Sequence, residues 1–180
     1  HLYRVEVHSA TTTTAKVKWS RENAHVATSL LEILAGRTTV RVESLGRDDV
    51  LRIKPGDWVE LTSDQREFAG LPGEMRKVTV DDANQTLTFS PALPAADFPQ
   101  GVVDAAKHVR VIRWDQSGIV RKPDGSQLIN LDLTTDGLIE LSAANPSFVL
   151  ELGVQATLTV LAGGTAHSGD YWCFAARTAD

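Results

Sequence analysis

Cysteine is nearly missing: Cys173 is the only one in 180 residues. That excludes a disulfide within the chain and a zinc site built on cysteines. Long apolar runs are missing as well. No stretch approaches about 18 consecutive apolar residues, the length at which a membrane span is read. Nor is there an excess of positive charge. Lys and Arg number 18 against 23 Asp and Glu, a formal net charge of −5. The basic residues are scattered, and no basic stripe is interleaved with aromatics. Such a chain argues against nucleic acid or an anionic membrane as the main partner. No charged-then-apolar leader opens the sequence, which starts at His1 and runs straight into an alternating segment. It reads as a fragment of a longer protein, or as the ordered part of one.

What is present suits a folded domain. Apolar residues make up 42% and charged residues 23%, which excludes wholesale disorder. Val, Ile and Thr together number 41 and fall in short runs. These residues favour pleated, half-buried surfaces. Tyr3, Val5 and Val7 alternate with Arg4, Glu6 and His8, and Val17 and Trp19 alternate with Lys16, Lys18 and Ser20. The period of two returns at Val40/Val42, Val59/Leu61, Val78/Val80 and Leu87/Phe89, and in later runs up to Tyr171–Ala176. About twelve short strands follow from this pattern. Lys54-Pro55-Gly56-Asp57 and Leu71-Pro72-Gly73-Glu74 read as type II turns, and Lys122-Pro123-Asp124-Gly125 as a type I turn. Asp81–Gln85 and Gly163-Gly164 read as hairpin turns. Ala27–Ala35 fits a bulged strand or a short helix. The proline-rich stretch 91–101 reads as an irregular loop.

The expected architecture is all-β. Residues 38–113 have the rhythm of a small five-stranded SH3-like or OB-like barrel. The flanks, 1–37 and 114–180, are strand-rich and form a sandwich-like region, with the option that they pair as one unit.

Motifs for catalysis or metal binding do not emerge. His1, His8, His25, His108 and His167 lie at no metal-ligand spacing, and no Gly-x-Ser-x-Gly elbow occurs. His167-Ser168-Gly169-Asp170 holds three triad residue types, but consecutive residues cannot adopt triad geometry. It reads as a polar turn. Asp81–Gln85 is the nearest approach to a calcium loop, yet Asp and Asn are what a hairpin turn requires. Gly163-Gly164 lacks a Walker lysine. No cofactor, metal or catalytic residue is expected. Cys173 sits in a run apolar on both faces, which predicts a strand buried on both sides and an inert thiol. Tryptophans carry the best binding hypothesis. Trp58 lies opposite Val59 and Leu61, beside Glu60, and Trp114 ends a strand next to Asp115. Trp58, Glu60, Trp114 and Asp115 are therefore the candidate contact surface. The alternative is that both indoles seal the barrel ends.

Several phrases taken in order are more specific: Leu2-Tyr3-Arg4-Val5-Glu6-Val7-His8, Lys18-Trp19-Ser20-Arg21-Glu22-Asn23, Val42-Glu43-Ser44-Leu45-Gly46-Arg47-Asp48-Asp49, Lys54-Pro55-Gly56-Asp57-Trp58-Val59-Glu60, Arg113-Trp114-Asp115, and Ser168-Gly169-Asp170-Tyr171-Trp172-Cys173-Phe174-Ala175-Ala176-Arg177-Thr178. Along essentially its whole length the chain resembles the C-terminal half of a bacterial family of unknown function associated with phage tails and contractile injection systems. The resemblance implies a structural or adaptor role in a tail-like particle through protein–protein contacts, homo-oligomers included. It implies a missing N-terminal region, and it brings no catalytic residues. The bacterial cytoplasm and a particle-associated or extracellular setting both stay open. The rival reading is a carbohydrate-binding β module on a particle or cell surface.

Overall fold

The computed structural model describes residues 1–161 and 163–176. Residues 177 and 178, which end the last of the family phrases, lie outside them. The chain divides into two compact units, one of His1–Ala24 with Asp115–Asp180, the other of His25–Trp114. The first unit opens with an antiparallel hairpin, β1 (Leu2–Ala10) and β2 (Thr14–Arg21). Its tip is the threonine run. The Thr11 hydroxyl accepts the amide N–H groups of Thr13 and Thr14 at 3.2 and 3.0 Å. The alternating pattern is realised directly, with Tyr3, Val5, Val7, Val17 and Trp19 all buried.

The second unit carries β3 (Ala27–Ile33), β4 (Thr39–Val42), β5 (Trp58–Thr62), helix α1 (Asp64–Phe68), β6 (Glu74–Lys77), β7 (Thr79–Asp81), β8 (Thr86–Thr88), β9 (Gly101–Val102) and β10 (Arg110–Trp114). One antiparallel sheet runs β6-β5-β10-β3-β4-β8-β7, with β9 beside β3. The end strands β6 and β7 are neighbours in sequence, joined through buried Val78. The sheet therefore curls back on itself into a nearly closed barrel. It has seven strands in its path where the punctuation suggested five. Ala27–Ala35 supplies one of them: its strand option is realised, with a register irregularity between Leu30 and Glu32. Leu30, Val40, Val42, Val59, Leu61, Leu87 and Val111 fill the interior. Full burial of each such side chain favours folding by about 1.5–3 kcal/mol.

Two expected turns resolve differently. Lys54–Asp57 is a turn with Gly56 at φ +92° and the Asp57 N–H donating to the Lys54 carbonyl at 3.1 Å. Gly73 has no positive φ. A Cβ there would lie 2.4 Å from the Glu60 Cγ, so close approach demands the glycine.

Returning to the first unit, the chain adds β11 (Ile119–Arg121), β12 (Gln127–Asn130), β13 (Ile139–Ser142), β14 (Ser147–Val149), β15 (Gln155–Thr157) and β16 (Tyr171–Ala175). Its main antiparallel sheet has the order β13-β2-β1-β16, and β11-β12 and β14-β15 form two-stranded ribbons. Ile139, Leu141, Leu131, Phe148 and Val120 complete the core that β1 and β2 begin.

Candidate functional site

The candidate contact surface is divided by the structure. Trp58, Glu60 and Trp114 come together on adjacent strands of the barrel unit, where Trp114 faces Trp58 in register. They do not face solvent: Trp58 and Trp114 are each 2% exposed, and Glu60 is buried too. The Glu60 Oε2 accepts the Trp114 indole N–H at 3.0 Å, and its Oε1 accepts the Gly73 amide N–H at 3.1 Å. A buried carboxylate needs such donors. This corrects the reading of these three side chains as exposed. All five residues of β5 are buried, so the face opposite Val59 and Leu61 is covered as well. The sealing role, weighed as the alternative, is the one their burial fits.

Asp115 belongs to the other unit. Its Oδ2 accepts the Arg21 amide N–H at 2.8 Å, and its own N–H donates to the Trp19 carbonyl at 3.0 Å. Gln116 beside it is buried and bridges the Trp19 N–H (2.9 Å) and the Gly137 carbonyl (3.2 Å). Arg21 also donates through Nε to Glu151 at 2.6 Å, and the Tyr3 hydroxyl donates to the same carboxylate at 2.9 Å. Burial, then the hydrogen bond to Glu151, pushes the Tyr3 hydroxyl up to about 12. Burial works against the Glu151 charge, but the hydrogen bonds from Arg21 and Tyr3 prevail and hold its carboxyl below the usual range. This network fixes the position of Asp115; it does not present it.

The exposed aromatic surface lies instead on β16, where the sequence pattern pointed to burial. Tyr171 is 53% and Trp172 48% exposed, and Cys173 is exposed rather than buried. The reason is position: β16 is the edge strand of its sheet, paired with β1 alone among the described strands. The flanking bonds set which backbone groups are used. Val7 N–H donates to the Asp170 carbonyl at 2.8 Å, and His1 and Ala176 exchange bonds at 3.0 and 3.1 Å. By antiparallel alternation, Trp172 and Phe174 turn their backbone groups to β1, while Tyr171, Cys173 and Ala175 turn theirs outward. Arg4 stacks over the Tyr171 ring at 3.7 Å, and the Cys173 thiol donates to the Asn23 Oδ1 at 3.1 Å. No charged residue or proline interrupts this edge. The absence of such protection was the one signal in the sequence that could have marked it.

The Asp81 carboxylate is occupied by its own turn. Asp81 accepts the Asn84 side-chain N–H at 2.7 Å and the Ala83 and Asn84 amides at 3.0 and 3.3 Å. Those bonds hold its carboxyl below the usual range. Among the described residues no group of three or more His, Cys, Asp or Glu side chains could hold a metal ion. No helix among them is long and apolar enough to cross a membrane.

Residues 2–180 match a protein family described as a family of unknown function, DUF6519. No curated protein and no solved structure matches the chain.

Proposed function

The chain belongs to DUF6519, a family of unknown function, and we propose that it is a non-enzymatic structural or adaptor component of a phage-tail-like, contractile injection particle, acting through protein–protein contacts. The particle setting comes from the sequence resemblance. The mode of contact comes from one observation: β16 is an uninterrupted, uncharged edge strand with outward backbone groups and exposed Tyr171 and Trp172. Such an edge accepts a further strand, with main-chain bonds giving affinity and the aromatic side chains giving selectivity. A photo-crosslinking amino acid at position 172, expressed in the native cell, tests this. Cross-links to another protein are expected. Their absence, with cross-links obtained from a buried control at position 19 into the chain itself, would contradict it.

A carbohydrate-binding reading now rests on Trp172. Trp19, Trp58 and Trp114 are buried, and Trp172 is the tryptophan with an open face for a sugar ring. Saccharide-dependent quenching that disappears in Trp172→Phe would favour it. A flat response across a broad glycan panel would remove it.

A further inference from the structure

We propose that the barrel unit has a second, small-molecule site: the cavity beside Gly46 binds a small carboxylate carrying an apolar body. The cavity measures about 230 Å³. Buried Leu45 and Ile53 line it, with Val26 and Leu51. The loop that borders it is tightly made. Gly46 has φ +105°, and a Cβ there would lie 2.4 Å from the Leu51 carbonyl oxygen. The Ser44 hydroxyl accepts the Gly46 N–H at 3.1 Å, and the Ile53 N–H closes the loop onto the Leu45 carbonyl at 2.8 Å.

Charge at the cavity singles out Arg47. Every other arginine among the described residues donates a side-chain hydrogen bond to the protein. Arg47, an exposed residue, lines the cavity and donates none among the described residues. Asp48, also in the lining, is engaged by its own loop: it accepts the Val50 and Leu51 amides, each at 2.8 Å. Those bonds hold its carboxyl below the usual range and keep it charged. A forked guanidinium recognises a carboxylate with two parallel bonds. The apolar floor then favours an aryl or branched alkyl body over a heavily hydrated phosphate. The volume falls below the roughly 300 Å³ at which drug-sized sites begin, which points to a ligand no larger than a substituted benzoate.

The test is titration of the whole chain with sodium phenylacetate, followed by calorimetry and by the methyl resonances of Leu45 and Ile53. Saturable binding with shifts at both methyls is expected. Arg47→Gln should weaken it at least tenfold, and 2-phenylethanol, the neutral analogue, should bind at least tenfold more weakly than phenylacetate. Ala27→Phe, a bulky change at another lining residue that leaves the charge, should abolish the methyl shifts. Circular dichroism checks that each variant is folded, and the neutral analogue tests the charge without any variant. No binding, equal binding of the two ligands, or equal binding by Arg47→Gln and the parent chain would each overturn the site.

Discussion

At the scale of single residues, the buried end of β5 depends on Glu60 having its donors. Trp114→Phe removes the indole N–H that meets Oε2 and also shrinks the buried ring. A hydrogen bond to a buried charge contributes about 1.5–3 kcal/mol, so Trp114→Phe is expected to lower unfolding stability by about 2 kcal/mol in a urea titration. An unchanged midpoint would show that the bond is unimportant. Ala24 offers the opposite sign. Glu22, Asn23 and Ala24 all have positive φ, at 50, 58 and 56°. Left-handed backbone costs an L-residue roughly 1–2 kcal/mol, and glycine adds back part of that as unfolded-chain entropy. Ala24→Gly is therefore expected to stabilise by about 0.5–1 kcal/mol in the same assay. Tyr3 supplies a pH dependence. Its hydroxyl is raised to about 12 from the ordinary tyrosine value of 10.0. The folded state thus holds a proton that the unfolded state releases, and this contribution is fully present below about pH 10. It is lost as pH rises towards 12. Tyr3→Phe should flatten the alkaline decline in melting temperature over that window. Glu151 acts at the other end: its folded value is depressed, so its contribution is lost as pH falls through it.

At the scale of elements, two strands show what a sequence pattern conveys. Alternation placed Tyr3, Val5, Val7, Val17 and Trp19 correctly, because one face of their hairpin meets a core and the pattern records that face. The pattern predicts burial for Cys173, which is exposed, and leaves Trp58 between exposure and sealing, for one shared reason. The pattern of a strand reports the polarity of its two faces, and burial is set by which neighbours cover them. On β5 the Gly73 amide and the Trp114 indole lie against Glu60, and its Trp-Glu-Thr face is buried although it looks polar. β16 lies at an edge, so its wholly apolar sequence is half open. The candidate site was thus legible as a set of aromatic residues, and its place was not. Gly46 carries the element-scale prediction. Gly46→Ala puts a Cβ against the backbone of Leu51 and Arg52, at a φ of +105°. A loss of about 2–3 kcal/mol is expected by thermal unfolding, since neither backbone contact can give way cheaply. A neutral result would mean that the 44–53 loop rearranges freely.

At the scale of the whole molecule, each of the two units has its own hydrophobic cluster. The barrel sequence, residues 25–114, interrupts the strand order of the other unit, whose first two strands precede it and whose remaining strands follow. Long-range pairings such as β1 with β16 tie the ends of that unit together. The proposed role of the β16 edge is to join the chain to a large particle. Its most direct measurement is density-gradient sedimentation of a native lysate, probing fractions for the parent chain and for Trp172→Lys, which places a charge on the edge. Co-migration of the parent chain with large tail-like particles, and a shift of Trp172→Lys to the small-protein fractions, is the predicted result. A parent chain that stays with small proteins, or a variant that travels with the particles as the parent does, would contradict it.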